Sequence, residues 1–314
     1  MKELASEMIA RADFLKRRKT GIGGSDVAAI AGLSPFRSPL DVFYDKLNTE
    51  FGDGGRNEAF PRGETAALYW GAVHENNIGK AYTVVTGRRI MRYNRLLQHP
   101  EFPYFIGDVD FLGYCDDGRT PFLPKTGEIR TDKGIECKTG RWANPDDWGE
   151  HGSDTVPIMY VCQVQWYMGL VPALRSFDLP GLFAGSDFRI YTVVRCEEII
   201  AKLQEIAKDF WCNNVMRQIP PAPRSLEEVK RLYPQSNARA MVARQETENA
   251  VRELAAVSEQ RSRMEARENE LKNLIAAEMG ANELLTLPDG TPLLTFRTDR
   301  SGKRSMLLKR KNLK

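Results

Sequence analysis

The segment Gly134-Ile135-Glu136-Cys137-Lys138-Thr139 puts a carboxylate and an amine two residues apart in a stretch that reads as a β-strand. Alternate side chains of a strand share a face. Glu136 and Lys138 are therefore expected to point one way and Cys137 the other, into a core. Upstream, in FIGDVDFLGY, Asp108 and Asp110 share a face by the same rule. Two neighbouring strands can bring Asp110 beside Glu136. Paired carboxylates suit a hard cation, and a lysine next to them can hold and polarise a water. Phosphodiester hydrolysis needs this equipment: a water activated at neutral pH, and neutralised charge on the pentacoordinate phosphate. Glu-x-Lys alone is equally an ordinary surface pair, so the surrounding motifs decide.

A second stretch, TGIGGSD from Thr20 to Asp26, crowds three glycines ahead of a helix. It is not a nucleotide loop, which requires GxxxxGK[ST]. A charged helix, not a strand, precedes it, which argues against a dinucleotide loop. Gly21, Gly23 and Gly24 permit close backbone approach, Ser25 lies near a helix N-terminus, and the basic run Lys16-Arg17-Arg18-Lys19 stands upstream. Such a grip suits a single phosphate.

Composition narrows the chemistry. The chain has 314 residues, 42% hydrophobic and 28% charged, with net charge +3. This fits one large domain with an appendage. No apolar run is long enough to span a membrane, and the charged start MKELASEMIARADFLKRRK lacks a signal-peptide core, so a cytoplasmic home is expected. The five cysteines (Cys115, Cys137, Cys162, Cys196, Cys212) and three histidines are scattered. That speaks against zinc and iron–sulfur sites. A metal would rest on carboxylates, which points to Mg²⁺, with Mn²⁺ as the alternative.

The elements that must position these groups form a mixed α/β core. Helices are expected over 3–19 and 27–31, then from Ser38-Pro39, where Ser caps and Pro opens the first turn. A long helix follows over 66–86, closed by Gly87. Strands are expected over 88–97, 105–114, 134–139 and 188–195, with helices over 156–171 and 197–215. The breaker IPPAP, 219–223, marks a boundary. The expected organisation is a catalytic domain over 1–222, a helical arm over 223–280, and a small hairpin with a basic tail over 281–314. In the arm, Val257, Met264 and Leu271 recur every seven residues, while the companion seam Leu254, Arg261, Glu268, Ile275 is half charged.

Four segments, in order, resemble the phage lambda exonuclease-like, or YqaJ-type viral recombinase, branch of the PD-(D/E)XK nucleases. They are RRKTGIGGSDVAAIAGLSPF, WGAVHENNIGKAYTVVTG, GDVDFLG with GIECKTG, and VPIMYVCQVQWYMGL, together spanning Arg17 to about Leu170. The resemblance implies a restriction-endonuclease-like core with a central mixed sheet flanked by helices. It implies an Mg²⁺-dependent exonuclease that digests one strand of duplex DNA from the 5′ end. The 3′ tails would pass to a single-strand annealing partner, and the enzyme would assemble as a homo-oligomer, a trimer in the family.

The resemblance also implies residue roles. Asp110 and Glu136 are metal ligands, with the Cys137 carbonyl as a backbone ligand. Lys138 positions the nucleophilic water, and Glu75 is an outer or second-metal carboxylate. Gln163, ahead of Gln165, steadies the site or the scissile phosphate. The family often has Pro-Asp-Gly at its first acid, whereas this chain has Val109-Asp110-Phe111, so Asp108 competes with Asp110, which is favoured. Arg18, with Arg17 as alternative, and Ser25 match the pocket for a terminal phosphate. Arg141 and Trp142 belong to the loop RWANPDDWGEHG after the lysine strand. That loop either meets DNA, with Trp142 or Trp148 as a wedge at a duplex end, or folds over its own tryptophans. A sequence-specific or structure-specific endonuclease and a non-catalytic DNA-end scaffold are the competing readings.

Overall fold

The computed structural model describes residues 17–47, 64–141, 144 and 147–313. The loop expected over 49–63, Trp142, and all but the last residues of the helix expected over 3–19 lie outside them. The chain forms two compact units, Met1–Pro234 and Gln235–Lys314. The sequence places its boundary earlier, at 222/223; the helix Leu226–Leu232 belongs to the first unit, where Arg231 bonds Asp41 at 2.6 Å.

Local signals set the first helices. Helix α1 (Gly24–Ile30) ends before Gly32, whose φ of +76° suits a residue without Cβ. Helix α2 (Pro39–Lys46) starts with a reciprocal cap: Ser38 accepts from the Asp41 N–H, and Asp41 accepts from the Ser38 N–H. Helix α3 (Glu64–Thr86) stops at Gly87, φ +69°.

Six strands form the central sheet: β1 (Ile90–Arg92), β4 (Phe111–Gly113), β5 (Lys133–Ile135), β6 (Lys138–Gly140), β7 (Ser176–Phe183) and β8 (Asp187–Val194). Their order is β1-β4-β5-β7-β6, with β8 also pairing β7. β5 and β6 run parallel to β7, and the other pairs are antiparallel. This is the mixed sheet expected from the sequence. Two short strands, β2 (Leu97–Gln98) and β3 (Ile106–Gly107), pair separately.

The strand expected over 88–97 is only β1, with Leu97 opening β2 in a separate sheet, and three further readings need correction. The strand expected over 105–114 is two strands, β3 and β4, in different sheets, with Asp108 and Asp110 in the break. The strand expected over 134–139 is likewise broken at Glu136-Cys137. Both halves keep one register on β7, Ile135 opposite Asp178 and Lys138 opposite Gly181. That register sets the break opposite Leu179-Pro180, and proline has no N–H for the ladder. Third, β7 itself, bonded to β5, β6 and β8, has no counterpart in the sequence reading. Asp178, Pro180 and Gly181 are poor strand formers and hide it.

Alternation along the strands sorts the two faces. Phe177, Leu179, Tyr191 and Val193 join the main core with α1, α4 (Ile158–Leu170) and α5 (Glu197–Phe210). α4 is apolar nearly all round, as a helix buried on most sides must be. On the opposite face, Tyr82 of α3 packs with Phe111 and Ile135, and Cys137 turns into this smaller cluster as expected. Asp178 ties that face together. It accepts from Tyr82 Oη at 2.6 Å, Lys133 Nζ at 2.9 Å and Thr192 Oγ1 at 2.8 Å.

α6 (Leu226–Leu232) completes the first unit. In the second unit, α7 (Gln245–Met279) is followed by a three-stranded antiparallel sheet, β9 (Leu284–Thr286), β10 (Pro292–Thr298) and β11 (Arg304–Leu308). The expected hairpin is there, but part of the basic tail is its third strand. Arg304 donates to the carbonyls of Gly280 and Asn282, so this cation is committed to the fold. Among the described residues, no helix is long and apolar enough to cross a membrane.

Candidate active site

The broken line β5–β6 carries the centre of the site. At the break the Glu136 N–H still donates to the Asp178 carbonyl at 3.0 Å, while its side chain enters a buried polar knot. Glu136 Oε1 accepts from Lys138 Nζ at 3.0 Å and from Gln163 Nε2 at 2.6 Å. Lys138 Nζ also donates to Gln163 Oε1 at 2.8 Å and lies 4.5 Å above the Tyr160 ring. Gln163 Nε2 gives its other hydrogen to Tyr167 Oη at 2.9 Å. Tyr160, Gln163 and Tyr167 share one face of α4, being three and four residues apart. Glu136 Oε2 is buried with no hydrogen-bond partner.

The acid at 110 joins through the main chain. Asp110 Oδ2 accepts the Cys137 N–H at 2.8 Å, a donor pointing away from β7 at the break. Burial, then the charges of Glu136 and Glu75, push the Asp110 carboxyl well above its usual range. Burial and Glu136 likewise push Asp108 up to about 7, against the opposing charge of Arg18. Burial also raises Glu136, although Lys138 pulls the other way. Lys138 itself loses by burial but is held above its usual value, chiefly by Glu136. The lysine is therefore an ammonium ion with two of its three hydrogens already placed.

Glu75 reaches this field from α3. Arg92 Nη2 holds it at 2.6 Å and also bonds Asn76. Its charge is one cause of the raised Asp108, Asp110 and Glu136. Gln165, by contrast, spans main-chain groups: its Nε2 donates to the Val194 carbonyl and its Oε1 accepts from the Cys196 N–H. It joins α4 to the end of β8 and takes no part in the polar knot.

The glycine-rich stretch lies against the same helix face. A Cβ on Gly24 would meet the Tyr167 ring at 2.7 Å and Gln163 Cγ at 2.9 Å, so only glycine lets α1 start there. Arg18 Nη2 donates to Ser25 Oγ at 2.7 Å. Beneath them Asp26 is buried: Oδ2 accepts the Gly23 N–H at 3.0 Å and Lys46 Nζ at 2.7 Å, and Oδ1 accepts Arg37 at 2.7 Å. Burial alone would raise Asp26, but Lys46, Arg37 and Arg18 hold it below its usual value. Lys46 also donates to the Arg18 carbonyl at 2.9 Å, anchoring the arginine's backbone. The Arg17 carbonyl accepts from Thr20, both from its N–H and from its hydroxyl.

Other aromatic expectations change. Trp148 is in the core, against Tyr160, Phe183 and Tyr191, so it is no wedge. Trp166 is buried and donates to the Ile106 carbonyl, while Trp70 is half exposed and stacks on His74. Arg141 is exposed just after β6. Tyr160, Lys46, Arg37 and Asp178 are absent from the sequence reading. Only Tyr160 left a signal, three residues before Gln163 on one helix face.

Among the described residues, no three His, Cys, Asp or Glu side chains converge as a preformed metal cluster. The donor set still fits a hard cation of the Mg²⁺ type. Such ions use one or two carboxylates and complete their shell with waters and substrate phosphate. Asp110 and Glu136 would supply the two carboxylates, and Glu136 Oε2 is buried without a partner although Oε1 is paired with Lys138.

Fold and site together define a mixed α/β protein with a carboxylate–lysine centre on the broken middle line of its sheet. Residues 13–171 match the YqaJ-like viral recombinase domain, and the chain belongs to that family. It is similar to the uncharacterized protein YqaJ of Bacillus subtilis (strain 168), 26% identical over 281 residues, covering 87% of this chain and 79% of that one. Among solved structures it is similar to the alkaline exonuclease LHK-Exo from Laribacter hongkongensis, at 17% identity and TM-score 0.46, over 70% of this chain and 97% of that one. It is also similar to a phage-related exonuclease from Haemophilus somnus 129PT, at 16% identity and TM-score 0.35, over 63% and 96%.

Proposed function

We propose that the protein is an Mg²⁺-dependent exonuclease that digests one strand of linear duplex DNA from its 5′ end. The carrying observation is the Glu136–Lys138–Gln163 knot beside Asp110, with Glu136 Oε2 left unpaired. Asp110, Glu136 and the Cys137 carbonyl would hold the ion, with Glu75 as a further carboxylate. The bound ion would supply charge neutralisation at the phosphate and a more acidic water.

The chain's own groups do the rest. Lys138 Nζ spends two hydrogens on Glu136 and Gln163, and its third would serve a water or phosphate oxygen. Gln163 has both amide hydrogens and its oxygen engaged, so it works by fixing Lys138 and Glu136. Asp178 holds the Glu136 N–H with its carbonyl, in the plane of the sheet, and Tyr82 of α3 with its carboxylate, on one face, which fixes the helix that bears Glu75.

Arg18 and Ser25 favour an enzyme acting at ends. Their bonded pair, set on buried Asp26 and Lys46, offers a guanidinium, a hydroxyl and a helix N-terminus to one phosphate. Arg141, exposed just after β6, would meet the DNA backbone, and Trp142, outside the described residues, follows it. The 3′-tailed product suits a single-strand annealing protein, and the family's trimeric ring suits processive work.

The decisive experiment uses linear duplexes labelled separately at each 5′ and 3′ end, and covalently closed circles, with Mg²⁺ and with EDTA. Loss of 5′ label from linear DNA only, abolished by Glu136→Ala and by Lys138→Ala with the fold intact, is expected. Nicking of closed circles would make the protein an endonuclease. Full digestion by both variants would remove the site assignment.

A further inference from the structure

Helix α7 carries an apolar seam that the rest of the second unit leaves largely open. At about 100° per residue, Leu254, Val257, Met264, Leu271 and Ile275 fall on one stripe. Leu254, Val257, Met264 and Leu271 are 68%, 55%, 65% and 43% exposed. The helix's other faces are laced by ion pairs: Arg252 with Glu248, Arg263 with Glu259, Arg267 with Glu270. Two charges sit inside the seam itself, Arg261 and Glu268. Arg261 has Glu265 one turn away at 3.7 Å; Glu268 has Lys272 one turn away at 2.5 Å and also feels the charge of Arg310.

Charges within an apolar seam select the partner and its direction. The seam reads Leu254, Val257, Arg261, Met264, Glu268, Leu271, Ile275. From either end that is two aliphatic residues, a charge, the central methionine, the opposite charge and two aliphatic residues. A parallel copy in register would stack Arg261 on Arg261 and Glu268 on Glu268, and set Arg267 beside Lys272. An antiparallel copy centred near Met264 brings each Arg261 to the other's Glu268, Leu254 to Ile275 and Val257 to Leu271. The contact closes on a two-fold axis, so it stops at a pair. From Leu254 to Ile275 the seam is about 33 Å long at 1.5 Å per residue.

We propose that α7 docks antiparallel against α7 of a second copy of this chain. The pairing doubles whatever particle the rest of the chain forms. The test is the light-scattering mass of the full-length protein, with helical content followed by circular dichroism. Arg261→Glu and Glu268→Arg should each halve the particle mass, because each sets like charges together twice. The double variant Arg261→Glu/Glu268→Arg should regain the wild-type mass, and so should an equimolar mixture of the two single variants. An unchanged mass in Arg261→Glu would overturn the proposal. So would a loss that neither the double variant nor the mixture repairs, which would leave the seam to another part of this chain or to a different protein.

Discussion

Two buried carboxylate sites a short way apart in the first unit obey opposite rules. Asp26 has every oxygen spoken for: two cations and a backbone N–H meet it, and its carboxyl lies below its usual range. Glu136 is also buried, Asp110 is half-buried, and Glu136 keeps one cation in Lys138; yet Asp110 faces the charges of Glu136 and Glu75, both carboxyls lie above their usual range, and Glu136 Oε2 is bare. A buried charge is costly unless paired. The first site meets that cost within the chain and so holds structure. The second meets it only in part, through Lys138, and under the proposed function a cation from outside would meet the rest. What separates a structural acid from a reactive one here is completeness of pairing, not depth.

Breaking each site should therefore give opposite results. Asp26→Ala strands Lys46 in the interior and should cost about 3–5 kcal/mol of stability, read as a lower denaturant midpoint. Asp110→Asn and Glu136→Gln should leave that midpoint level or raise it without metal, while removing Mg²⁺-dependent cleavage. If Asp26→Ala proves harmless, the contrast fails. Next in size is metal linkage. At about a hundredfold excess over its dissociation constant, a ligand binding only the native state adds about 2.7 kcal/mol. Mg²⁺ should raise the melting temperature of the wild type and leave Glu136→Ala unmoved.

A smaller effect separates the phosphate grip from the centre. Hydrogen bonds to charged groups contribute about 1.5–3 kcal/mol. Arg18→Ala should erase a preference for 5′-phosphorylated over 5′-hydroxyl ends by roughly that amount, with the melting curve nearly unchanged. If the preference persists, these glycines form only a turn. The smallest is a pH effect. Asp26 has its folded pKa below the unfolded value, so its stabilisation is present above about pH 4 and is lost as pH falls through the folded value. The acid limb of a melting-temperature profile should be steeper in the wild type than in Asp26→Asn.

Much of the site was legible because its signals are local or fixed in order. Ser38-Pro39, Gly32 and Gly87 mark helix ends by backbone rules that need no partner. Glu136 and Lys138 stood out by type and spacing, and Gln163, Arg18 and Ser25 through the family resemblance of their segments; the structure brings the first three into one hydrogen-bonded knot. Three things were not legible. Strand β7 was hidden because its pairing is decided by β5, β6 and β8, against the preferences of Asp178, Pro180 and Gly181. Trp148 looked like a loop residue until Tyr160, Phe183 and Tyr191 came around it. Lys46 is separated from Asp26 by twenty residues, and nothing in its own helix says that it is buried.

The amino-acid sequence by itself determined which residues could do chemistry and which short segments would be helical, since caps, glycines and side-chain type act within a few residues. Tertiary structure alone decided that the Glu136 strand breaks opposite Pro180, that the freed Cys137 N–H takes Asp110, and that Glu136 keeps one oxygen unpaired. Those outcomes come from groups dozens of residues apart meeting in a low-dielectric interior. There the presence or absence of one partner sets the charge of a carboxylate, and no spacing along the chain records that.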